Sequence, residues 1–123
     1  MTGRRSTVDA YHVWFNLKDG VRDIEFAARA RGYLAHLQAE GLIAGYRLTR
    51  RKLGLGPPQL PEWHIVIDFV NMAQMDDAFG RVSSRADPIE GFHHAVNSQV
   101  HDAVFALYRD FPDPGRVTGQ ERF

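Results

Sequence analysis

The sequence predicts one α+β domain with the element order β-α-β-β-α-β. Two segments, residues 11–17 and 62–69, alternate with the two-residue period of strands. Between them lies an apolar stripe with helical spacing, followed by a strand that ends in a Pro- and Gly-rich loop. At 123 residues, 44% hydrophobic and 24% charged, the chain has the length and composition of a single globular core.

The first strand, residues 11–17, sorts its side chains onto two faces. Val13 and Phe15 lie on one; His12, Trp14 and Asn16 lie on the other. Lys18, Asp19 and Gly20 then make a turn. The helix that follows is expected over 21–40, because Phe26, Ala30, Tyr33 and Leu37 repeat at helical spacing and Ala27 and Leu34 widen the stripe. Gly41 stands where a helix ends. A second strand is expected over 43–52, basic at its far end through Arg47, Arg50, Arg51 and Lys52. Residues 53–61 hold three prolines and two glycines and read as a loop.

The third strand, 62–69, puts Ile65, Ile67 and Phe69 on an apolar face and His64, Val66 and Asp68 on the other. Asn71 and Gln74 form a capping box for a helix carrying Met72, Met75, Phe79 and Val82. Residues 83–86 interrupt it. Asp87, Pro88 and Glu90 mark the start of a second short helix reaching about Ser98. The last strand is expected over 103–109. Residues 1–9 are expected to be a disordered arm, 10–110 the domain, and 111–123 a loosely held tail. This order is the ferredoxin-like split βαβ motif, a four-stranded antiparallel sheet with helices on one face only.

Composition excludes several function classes. Fifteen Lys and Arg balance fifteen Asp and Glu. A formally neutral chain lacks the basic excess needed for nucleic acid or an anionic membrane, so neither is expected as a partner. There is no cysteine, hence no disulfide, thiolate metal site or Cys nucleophile. That fits a cytoplasmic setting, and the N-terminal residues show no apolar stretch of the signal-peptide kind. No apolar run approaches the ~20 residues of a membrane span.

From the element order and the mixed polar and apolar open sheet face, over about residues 10–110, the chain resembles the dimeric α/β-barrel superfamily. It looks most like the small bacterial members. The resemblance implies two sheets packed face to face in a homodimer. Members include cofactor-free quinone-forming monooxygenases, haem-degrading enzymes, dye-decolourising peroxidases, muconolactone isomerases and stress-responsive proteins. Physical reasoning reaches the dimer independently. Trp14, Val66, Val104 and Tyr108 would leave an apolar patch on the uncovered face, and a two-fold partner covers it.

Candidate chemistry sits on that face. If Trp14 faces Val66 across the two central strands, His12 faces Asp68 and Asn16 faces His64. A carboxylate beside His suits a general base or acid; a structural cross-strand pair is the alternative. His64, Asn16 and Trp14 offer donors and a stacking ring for a flat ligand; a packed dimer core with satisfied polar atoms is the alternative. Arg47 and Arg51 share a strand face and are expected to hold a carboxylate or phosphate, or else to form a solvated strand end that guards an edge.

His93 and His94 point about 100° apart on a helix and cannot together chelate one ion, and no metal signature is present, so no metal is expected. Gly54 and Gly56 match no nucleotide fingerprint, and Ser83 and Ser84 lack a nucleophile elbow. No cofactor is expected. The leading expectation is therefore a homodimer binding a small aromatic molecule in the barrel, with cofactor-independent acid–base or monooxygenase-type chemistry. His12, His64 and Asp68 would be catalytic, and Trp14, Asn16, Arg47, Arg51 and Tyr108 would bind the ligand. A non-enzymatic structural or stress-response dimer, and a haem-binding enzyme with a free His, are the alternatives.

Overall fold

The protein is seen as a computed structural model that describes residues 8–83, 94, 96–112 and 119. Its elements are β1 Asp9–Leu17, α1 Asp23–Ala39, β2 Gly45–Arg50, β3 Trp63–Phe69, α2 Met72–Ser83 and β4 Val100–Arg109. The four strands form one antiparallel sheet in the order β2-β3-β1-β4. This is the ferredoxin-like arrangement, with the first and third strands in the centre.

Helix α1 buries Phe26, Ala30, Leu34 and Leu37 against the sheet. The stripe is the expected one, with Leu34 taking the buried place expected of Tyr33, which is half-buried. The helix ends in a Schellman motif. Gly41 adopts φ 74°, its N–H donates to Gln38 O, and Leu42 N–H donates to Leu37 O. On the same side the sheet contributes Phe15, Trp63, Ile65 and Phe69. Trp63 extends the apolar face of β3 by one more alternate position. Phe26 sits at the centre, fully buried, with its ring 5.5 Å from Phe15 and 5.6 Å from Trp63.

Helix α2 carries the expected cap: Gln74 N–H donates to Asn71 Oδ1, and the Gln74 side chain accepts from Val70 N–H. Its buried residue is Ala78, however, while Met72 and Phe79 stay exposed. A small side chain brings this helix close to the sheet, and the larger ones flank the contact. The short helix expected from Asp87 falls mostly outside the described residues; His94, Val96 and Asn97 are helical.

Strand β4 begins earlier than expected, at Val100, because it contains a bulge. Opposite Trp14 and Asn16 of β1 stand Val104 and His101, so β4 spends one extra residue there. Asp102 takes φ 60° at that point. Its carboxylate accepts from Asn16 Nδ2 at 3.3 Å and lies 2.8 Å from His101 Nδ1. At the other end β1 starts at Asp9, and just beyond it Asp110 N–H donates to Val8 O while Val8 N–H donates to the Asp110 carboxylate. Residues 1–7 of the expected arm and most of the expected tail lie outside the described residues.

Candidate functional site

The open face of the sheet is built in rows, because residues directly opposite one another in an antiparallel pair share a face. One row reads Thr49, His64, Trp14, Val104. The next reads Arg47, Val66, His12, Ala106. The third reads Gly45, Asp68, Ala10, Tyr108. This register corrects the expected one. Trp14 faces His64, His12 faces Val66, and Asp68 faces Ala10. The expected His12–Asp68 pair is therefore two residues out of step. The slip is even, so every candidate keeps its face while changing its neighbour.

What replaces the expected pair is a hydrogen bond between two imidazoles. His12 Nδ1 and His64 Nε2 lie 2.9 Å apart, one donating to the other according to tautomer. Trp14 stacks on His64 at 4.4 Å between centroids with the planes 4° apart. Tyr108 meets His12 edge-on at 4.8 Å. Four rings from three strands thus stand together on a half-open surface. Burial, and secondarily the charge of His12, hold His64 below the usual imidazole range. A charge on His12 at this distance disfavours a second charge on His64.

Asn16 does not join His64. Its Oδ1 accepts from Glu62 N–H at 3.0 Å and its Nδ2 reaches Asp102, so it ties β3 and the bulge to β1. Arg51 is spent on the loop: its Nη2 donates to Leu60 O at 2.7 Å and Pro57 O at 3.3 Å. Gly56 lies so close that a Cβ there would strike the Arg51 guanidinium. Arg47 is exposed on the open face and makes no hydrogen bond or ion pair among the described residues. Arg50 points to the other side, bonded to Asp23 and Glu62 and 4.9 Å above the Trp63 ring.

Two concave regions lie away from the ring cluster. A largely apolar cavity of about 970 Å³ lies on the helix side of the sheet, between Tyr11, Val13, Phe79 and Phe105, with Asp76, His94 and Asn97 at its polar parts. None of the eight sequence-expected site residues lines it. Burial raises the Tyr11 phenol there. The sequence did carry a signal for this cavity, since Tyr11 is the one polar-tipped member of an otherwise apolar strand face. A smaller polar cleft of about 490 Å³ is lined by Asn16, Lys18, Asp23, Arg50, Glu62 and His101. Among the described residues no cluster of three or more His, Asp or Glu is placed to hold a metal. His93 lies outside them. No described helix is long and apolar enough to cross a membrane.

The fold and this face set the comparison with known proteins. The chain belongs to DUF6614, a family of unknown function, which matches it over residues 8–123. No functionally curated protein is similar to it in sequence. Among solved structures it is similar to SnoaB, a cofactor-independent oxygenase from Streptomyces nogalater, at 9% identity and TM-score 0.64, covering 91% of this chain and 100% of that one. It is also similar to a dimeric ferredoxin-like protein of unknown function from Thermobifida fusca, at 14% identity and TM-score 0.58, covering 88% and 95%. The Arabidopsis thaliana protein At3g17210 aligns at 12% identity and TM-score 0.64, covering 84% and 94%. At these identities the likeness is one of fold.

Proposed function

We propose that the protein is a homodimer, formed by packing two open sheet faces, that binds a small flat aromatic molecule beside the His12–His64 pair and removes a proton from it. The observation that carries this reading is the 2.9 Å imidazole–imidazole hydrogen bond set within the Trp14 stack. Burial keeps His64 in the neutral form that a general base needs. Trp14 and Tyr108 supply faces and edges for an aromatic ring. Proton removal from an electron-rich phenol gives the activated form that cofactor-independent oxygen chemistry starts from, and a cofactor-independent oxygenase shares the fold.

Dimerisation is supported by the apolar content of the face. Val104 is 41% exposed and Tyr108 59% exposed in the single chain. No described helix lies over them, and similar structures are described as dimeric. Light scattering in solution should give twice the 14.0 kDa chain mass; a monomer at micromolar concentration defeats the proposal.

The helix-side cavity favours a second reading, in which it holds the ligand and the open face serves only the interface. Titration with 2-naphthol, followed by tryptophan fluorescence and calorimetry, separates the two. Loss of binding in His64→Ala with retention in Phe105→Ala supports the ring-cluster site. The reverse pattern supports the cavity and rejects the ring cluster.

A further inference from the structure

We propose that the open-face site is specific for a planar aromatic carboxylate, with the carboxylate paired to Arg47 and an adjacent ring hydroxyl directed at the His12–His64 pair. The inference rests on the ligand-binding reading above and names its substrate class. Three features of the sheet carry it. First, Arg47, Val66 and His12 stand in one row across β2, β3 and β1. Neighbouring strands are about 4.8 Å apart, so the Arg47 and His12 backbones are separated by roughly 10 Å. Second, the floor of that gap is the single small side chain of Val66, walled on one side by His64 and on the other by Asp68. A flat ring fits such a floor, whereas a second large side chain would fill it.

Third, the two arginines that sequence placed on this face differ in how they are used. The Arg51 guanidinium is committed to two loop carbonyls. Arg47 is exposed, stands beside Val66 in the sheet, and makes no hydrogen bond or ion pair among the described residues. If the open face is covered by a second copy, an arginine there is desolvated and needs an anion. Asp68, the carboxylate nearest in the sheet, faces Ala10 and Gly45 and already has an interaction of its own. A bidentate carboxylate from a ligand meets the requirement with two parallel hydrogen bonds. The same pose sets an ortho hydroxyl of the ligand toward the imidazole pair, and so joins recognition to proton transfer.

The test compares 3-hydroxy-2-naphthoate with its neutral analogue 3-hydroxy-2-naphthamide, using the full-length chain and calorimetry at neutral pH. The wild type should bind the acid at least about tenfold more tightly than the amide. Arg47→Gln should bring that ratio to about one while leaving the amide affinity unchanged, and Arg47→Lys should restore part of it. Equal affinity of the wild type for the two probes overturns the carboxylate proposal alone and leaves the ring-binding reading standing. So does an Arg47→Gln variant that weakens both probes equally and dissociates the dimer, since Arg47 then pairs with the second copy. Failure of the wild type to bind either probe rejects both.

Discussion

Replacing His64 with alanine removes two contacts at once: the 2.9 Å hydrogen bond to His12 and the near-parallel stack on Trp14. A hydrogen bond nets about 1 kcal/mol and an aromatic stack about 0.5–1.5 kcal/mol. His64 is half-buried, so water reaches the His12 nitrogen it abandons, which keeps that penalty small. The expected loss near pH 7.5 is about 1–2 kcal/mol, which leaves the chain folded. The pH dependence is the sharper signature. Burial, then the charge of His12, hold folded His64 below the value of 6.5. The unfolded chain therefore takes up a proton at His64 at a pH where the folded chain does not. The stability contributed by neutral His64 is complete above about pH 6.5 and is lost as pH falls through the lower folded value. Urea unfolding at fixed protein concentration, from about pH 7.5 to about pH 5, should show the wild type falling faster than His64→Ala, so that the gap between them narrows. A gap that stays constant, or widens toward acid, refutes the reasoning.

Two other outcomes follow from contacts outside the ring cluster. Arg51→Ala should speed hydrogen exchange across residues 52–61 while leaving the melting temperature within about 2 °C, because the lost bonds order a surface loop rather than the core; unchanged exchange there rejects the clamp. In a spectroscopic titration, Tyr11 should ionise above the ordinary tyrosine range because burial raises it. That late transition should vanish in Tyr11→Phe, and a late transition that survives assigns it to another ring.

Much of the fold was legible because its determinants are local. The helical stripe of α1, the Gly41 stop and the Asn71–Gln74 cap each depend on residues within about two turns of one another. The strand faces were legible too, since alternation fixes which side a residue takes whatever its partner. The strand ends were less so. The second strand was expected to reach Lys52 but ends at Arg50. Beyond that point the Arg51 side chain turns into the loop, a commitment that depends on Leu60 and Pro57 arriving from the far end of the same loop. The burial of Ala78 in place of Met75 or Phe79 likewise reflects helix–sheet spacing rather than the periodicity of α2 alone.

The candidate face was legible as a set of residues sharing one side of the sheet and not as a set of pairs. A register shift of two residues leaves His12, Trp14, His64 and Asp68 on the same face and exchanges every contact among them. Hydrophobic patterning is equally satisfied by both registers, and β1 and β3 are joined by a helix and a whole strand rather than by a tight turn that would fix the alignment. The bulge at Asp102 adds a second shift, between β1 and β4, and draws Asn16 away from His64 toward the loop end of the sheet. The consequence is chemical. A carboxylate next to His12 would have stabilised an imidazolium. A second imidazole disfavours that charge on His64, whose neutral form burial already favours. A ligand that gives its proton to neutral His64 would carry a negative charge afterwards, the charge that the proposed contact with Arg47 would hold.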